Sequence, residues 1–65
     1  MPRYIVNITM PDGSDSVVLA DFAYEAAEVV QTTESPLKVR RVEDAQTRQE
    51  WFGDDIEQFV KFARA

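Results

Sequence analysis

Asp21-Phe22-Ala23-Tyr24-Glu25-Ala26-Ala27-Glu28-Val29-Val30-Gln31 is the stretch on which the reading of the whole chain depends. At about 100° per residue, Phe22, Ala26, Val29 and Val30 fall on one side, with Ala23 and Ala27 at its margin. Tyr24, Glu25, Glu28 and Gln31 fall on the other. The pattern predicts an amphipathic helix with an apolar face on a small sheet and a row of carboxylates toward water. Asp21 is the expected N-cap, because its carboxylate can accept from first-turn amides at the positive end of the helix dipole. The alanines favour helix and let the backbone approach a sheet closely. Thr32, Thr33 and Ser35-Pro36 end the helix, since proline restricts the residue before it.

Upstream, Tyr4, Val6, Ile8 and Met10 alternate with Ile5, Asn7 and Thr9, the period of a strand with its first set facing a core. Pro11-Asp12-Gly13-Ser14 is turn chemistry: proline presets φ and glycine accepts φ > 0. Ser16-Val17-Val18-Leu19-Ala20 then reads as the return strand of a hairpin. A rival reading starts the helix near Ser14 or Asp15, because Val18 and Leu19 extend its apolar face backwards; that would give βαββα. The Asp-Gly turn and the Asp21 cap favour the hairpin.

Downstream, Leu37-Lys38-Val39-Arg40-Arg41-Val42 reads as a third strand, Glu43-Asp44-Ala45-Gln46 as a polar turn, and Arg48-Gln49-Glu50-Trp51-Phe52 as a fourth strand ending at Gly53. Asp54 caps a second helix, with Glu57 three residues on as in a capping box. Ile56, Phe59, Val60 and Ala63 form its inner face, and Lys61 and Arg64 suit its C-terminal end. The order is ββαββα: a single α+β domain over residues 1–65, with both helices on one face of a mainly antiparallel sheet. Phe22, Ala26 and Val29 are expected to bury against Val6 and Ile8.

A chain of 65 residues buries only roughly 60% of its unfolded surface, so its stability is a few kcal/mol and self-association is a natural supplement. It has no cysteine and no histidine. The first fact suits a reducing compartment; the second removes the commonest general base and metal ligand near neutral pH. No apolar run is long enough to span a bilayer, and Met1-Pro2-Arg3-Tyr4 does not read as a signal peptide, which points to the cytoplasm. A net charge of −5 disfavours direct contact with nucleic acid or with anionic membranes, both of which need cations.

The charge is unevenly placed. Between Tyr4 and Leu37 there is no lysine or arginine, while Asp12, Asp15, Asp21, Glu25, Glu28 and Glu34 all lie there. Asp21, Glu25 and Glu28 are four and three residues apart, which stacks them along one helix edge beside Tyr24. These four residues are the candidate strip for docking on a basic protein surface, set against the plainer reading of a solubilising face. Trp51, Phe52 and Phe62 form a second candidate. Adjacent strand residues point to opposite faces, so one of Trp51 and Phe52 leaves the core. Phe62 lies off the face set by Ile56, Phe59 and Val60. These aromatics suit a partner contact or a homodimer contact, or simply cover a small core. Arg40 and Arg41 are expected to pair with Glu43, Glu50 or the acidic turn. Asp12-Gly13-Ser14-Asp15 lacks the closing glutamate of a calcium loop, because the residue eleven past Asp12 is Ala23. No motif calls for a cofactor, a metal or a catalytic step, and nothing around the carboxylates would raise a pKa for acid–base work.

Tyr4-x-Val6-x-Ile8, Pro11-Asp12-Gly13-Ser14, Ala20-Asp21 and Glu25-Ala26-Ala27 together resemble a pattern common in small phage and prophage proteins. Size, acidity and lack of catalytic groups are similar to those of anti-CRISPR and other host-takeover proteins. That resemblance implies a non-enzymatic inhibitor or modulator that blocks a host protein complex by binding it, sometimes on a nucleic-acid-binding surface such as that of a CRISPR-Cas effector. The readings from other classes are a small homo-oligomeric assembly module using its aromatics, and a regulatory adaptor.

Overall fold

The computed structural model describes residues 2–64. Its elements are β1 (Tyr4–Thr9), β2 (Asp15–Ala20), α1 (Ala23–Thr32), β3 (Lys38–Asp44), β4 (Gln49–Phe52) and α2 (Asp55–Arg64). This is the ββαββα order read from the sequence. Residues 16–20 are strand, so the longer first helix of the βαββα alternative does not form. The four strands make one sheet in the order β2-β1-β3-β4, with every neighbouring pair antiparallel.

Alternation sets the faces. Tyr4, Val6 and Ile8 of β1 are buried with Val42 of β3 and Ala20 of β2. Ile5, Asn7 and Thr9 point the other way and are half-buried. The β1–β2 turn is a three-residue loop: the Met10 N–H donates to the Ser14 carbonyl at 2.8 Å and the Gly13 N–H to the Met10 carbonyl at 3.0 Å. Gly13 sits at φ 90°, where a side chain would be strained. Asp12 Oδ1 accepts from Ser14 Oγ at 2.6 Å and from the Ser14 N–H at 2.9 Å. Those bonds hold the Asp12 carboxyl below its ordinary pKa.

Between β1 and β3 the register shifts after Asn7, whose partner is Arg41, while Ile8 pairs with Val39. Arg40 is the extra residue of a β-bulge, which re-aims its side chain. The β3–β4 turn is held by Asp44, which is only 4% exposed. Its carboxylate accepts from Arg3 Nε at 3.0 Å and Nη2 at 2.9 Å, and from the Gln46 N–H at 2.9 Å. Arg48 closes that turn at φ 63°.

Both helices cover the Tyr4/Val6/Ile8 face. α1 packs on β1 and β2, and α2 on β4 and α1. Ala26 and Ala27 are fully buried, so α1 lies close to its neighbours. Phe59 of α2 is fully buried as well, with ring centroids 4.6 Å from Trp51 and 5.8 Å from Tyr4.

The start of α1 corrects the expectation from sequence. Phe22, not Asp21, is the N-cap residue, with φ −123° and ψ 152°. The chain is still extended there, so the helical spacing that would place Phe22 above Ala26 does not apply. Phe22 is 59% exposed and does not join Val6 and Ile8 in the core. Phenylalanine has no acceptor to cap with. The first turn is satisfied from the other side, where Glu25 Oε1 accepts from the Phe22 N–H at 3.1 Å. Thr33 ends α1, its N–H and its Oγ1 both donating to the Val29 carbonyl. At α2, Asp54 precedes the first helical residue, and its carboxylate makes no hydrogen bond among the described residues; the Asp54–Glu57 capping box expected from sequence is not formed. The first turn is closed by backbone bonds from Ile56 to Gly53 and from Glu57 to Asp54.

Candidate docking surface

The fold separates charge by layer. The helices and the segments flanking them carry seven carboxylates: Asp21, Glu25, Glu28, Glu34, Asp54, Asp55 and Glu57. Against them stand two cations, Lys61 and Arg64. The strands, their turns and the lead into β1 hold five carboxylates and five cations, and so balance. By this count of elements the chain's net charge of −5 lies on the helices and their flanking segments, while Lys38, Arg3 and Asp44 of the other group also line clefts beside α2.

The sheet side is balanced by contact as well as by count. Arg41 pairs with Glu50 at 2.7 Å and lies 3.8 Å from Glu43. Arg40 reaches from the bulge to Asp15 at 2.9 Å. Arg3, partly exposed, pairs with the buried Asp44 at 2.9 Å. Three of the five cations, Arg3, Arg40 and Arg41, are thus paired, as expected for Arg40 and Arg41. In the helix layer the described residues show no salt bridge at all, and Arg64 donates instead to Gln31 Oε1 at 2.9 Å.

Of the predicted strip, Asp21, Tyr24 and Glu28 are exposed. Glu25 is half-buried and engaged at the N-cap, so it is a structural group as much as a surface one. Tyr24 is 59% exposed and stacks on Phe22, with ring centroids 5.7 Å apart and planes 8° from parallel. An exposed aromatic platform thus stands within the acidic row. The sequence reading missed Phe22 as a surface residue. The available signal was the Asp21-Phe22 pair after a strand ending at Ala20, which leaves little room for the helix to begin earlier.

The second predicted group is divided by the fold. Trp51 is half-buried against Phe59 on the helix side. Phe62, 61% exposed, flanks the same cluster 6.3 Å from Phe59. Phe52 is 51% exposed on the opposite, uncovered face of the sheet. Trp51, Phe52 and Phe62 therefore do not form one patch: strand parity sends Phe52 away from the other two.

Two concavities open beside α2. One, of about 530 Å³, opens between the end of α1, the start of β3 and α2, where Val30, Leu37, Val39, Ile56 and Val60 meet Lys38 and Glu57. The other, of about 350 Å³, is bounded by Arg3, Asp44, Trp51 and Phe62. The groups with displaced protonation are Arg3, Asp12 and Asp44: Asp12 belongs to the β1–β2 turn, and Arg3 and Asp44, which border the second cleft, owe their shifts first to the hydrogen bond they make with each other. Among the described residues no cluster of acidic side chains is placed to hold a metal ion. Nor, among them, is any helix long and apolar enough to cross a membrane.

Comparison with protein-family models, with curated proteins and with solved structures finds no match.

Proposed function

We propose that this protein is a non-enzymatic binding protein that docks its acidic helix layer on a basic surface of a larger protein and thereby blocks or modulates it. The observation that carries this reading is the uneven distribution of charge: the helices and their flanking segments hold seven carboxylates against two cations, while the strands and their turns balance. Uniform solubilisation does not require such a division. Opposed charge patches steer encounter and fix orientation. The stacked Phe22–Tyr24 pair supplies rigid aromatic area of the kind found in binding hot spots, and its faces suit arginine side chains. Partner surfaces built to hold phosphates are the basic surfaces that best fit a row of carboxylates. Inhibition of a host nucleic-acid-binding complex by a phage or mobile-element protein is the biological form this proposal takes.

The test uses Glu28→Lys combined with Glu57→Lys, because both residues are exposed and neither holds a cap. Parent and variant are immobilised side by side, proteins captured from lysate are identified, and each is titrated by calorimetry. The proposal expects a basic partner held by the parent and released by the folded variant. A folded variant that binds the same partner with parental affinity refutes it.

A further inference from the structure

β2 is an edge strand, and its outer side is free. The Met10 N–H donates to the Ser14 carbonyl, and the Arg3 N–H to the Ala20 carbonyl at 3.1 Å. Those two carbonyls therefore point inward at β1. Backbone groups along an antiparallel strand alternate between inward and outward, so Ser16 and Val18 point inward too. Asp15, Val17 and Leu19 then direct their N–H and C=O groups away from the sheet.

Natural edge strands are usually blunted by lysine, proline, a bulge or short length. β2 has none of these along its six residues, whereas the opposite edge, β4, is four residues long. The one charge on β2 is Asp15, and Arg40 of the same chain already pairs with it. Val17 and Leu19 are each 54% exposed on the uncovered face. We infer that β2 pairs antiparallel with β2 of a second copy, with Val17 at the two-fold axis, joining two sheets into one of eight strands. The strand is its own complement in this register. Val17 meets the partner's Val17 and Asp15 meets the partner's Leu19, so each outward donor and acceptor finds a mate and all facing residues share a side. Such a contact is isologous and closes on itself. Since α1 packs on β1 and β2, the dimer brings two acidic helices to the same side of the joined sheet. Added salt therefore strengthens this dimer, opposite in sign to its effect on docking to a basic partner.

The test is sedimentation from about 10 μM to about 1 mM, with backbone amide exchange at both ends of that range. The expected result is a reversible dimer whose formation slows exchange at Asp15, Val17 and Leu19. Val17→Pro removes an outward N–H that the single chain does not use, so the fold survives while the dimer weakens at least about tenfold. The chain has no cysteine, so Val17→Cys carries a single thiol. At about 5.5 Å between facing Cα atoms it should oxidise to a cross-linked dimer, and Tyr24→Cys should not. A chain that stays monomeric at about 1 mM, or a dimer in which those three amides still exchange freely, overturns the inference. If Val17→Pro fails to fold, the amide exchange of the parent decides.

Discussion

Replacing Asp44 by asparagine tests the packing of the whole β3–β4 end in one step. The carboxylate is 4% exposed and takes hydrogen bonds from Arg3 and from the amides of Gln46 and Thr47. Asparagine keeps the size and one acceptor oxygen, which can still serve the turn amides. It turns a donor toward the Arg3 guanidinium, and the charge-assisted bonds are lost. Removing one partner of a buried ion pair costs about 3–5 kcal/mol when the other charge is trapped. Here the Arg3 side chain is 42% exposed and can swing into water, so the loss falls to about 2–3 kcal/mol, the range for hydrogen bonds to charged groups. For a domain of this size that lowers the melting temperature by about 10–20 °C. The pH dependence carries a sign. Hydrogen bonding from Arg3, and then from the turn amides, holds the folded Asp44 carboxyl below its ordinary value of 3.8. Its stabilisation is therefore complete above that ordinary value and is lost as pH falls through the lower folded one. Urea unfolding of parent and variant should show the full gap at neutral pH and a shrinking gap in acid. A gap under about 0.5 kcal/mol at neutral pH, or one that persists unchanged in strong acid, refutes this account of the ion pair.

Other substitutions probe separate parts of the structure. Phe59→Ala empties the centre of the core, where the ring meets Tyr4 and Trp51; it should cost about 3–5 kcal/mol and leave the chain largely unfolded by circular dichroism. Phe22→Ala should cost less than about 1 kcal/mol in the same assay, because the side chain is 59% exposed, yet it should weaken partner binding measured by calorimetry. Arg48→Gly relieves a left-handed backbone at φ 63° and should stabilise by about 0.5–1 kcal/mol, read as a rise of a few degrees in melting temperature.

Much of this fold is legible in the sequence because local signals agree with one another. Alternation in Tyr4–Thr9, the three-residue Pro-Asp-Gly loop and the Gly53 stop each point to the element that forms. What escapes is what depends on a single dihedral or on long-range register. A helical wheel assigns Phe22 to the core only if the helix has already begun, and one extended residue reverses the assignment. Arg3 and Asp44 are 41 residues apart and meet only because β1 and β3 pair in a register that places Tyr4 opposite Asp44. The bulge at Arg40 leaves no local mark except two adjacent arginines, and it is the bulge that lets Arg40 reach Asp15. In the candidate site, the acidic row was readable from spacing. Its aromatic platform was not, because it depends on the extended backbone at Phe22, and which partner each of Arg3, Arg40 and Arg41 takes was not, because it depends on strand register.

The claim that the helix layer is an electrostatic docking face is tested most directly by the salt dependence of the association rate with the captured partner. Between about 0.1 M and about 1 M salt the screening length falls from about 10 Å to about 3 Å. The account predicts a steep fall in association rate for the parent, a shallow one for Glu28→Lys with Glu57→Lys, and little change in dissociation for either. An association rate for the parent that is flat across that range would contradict it.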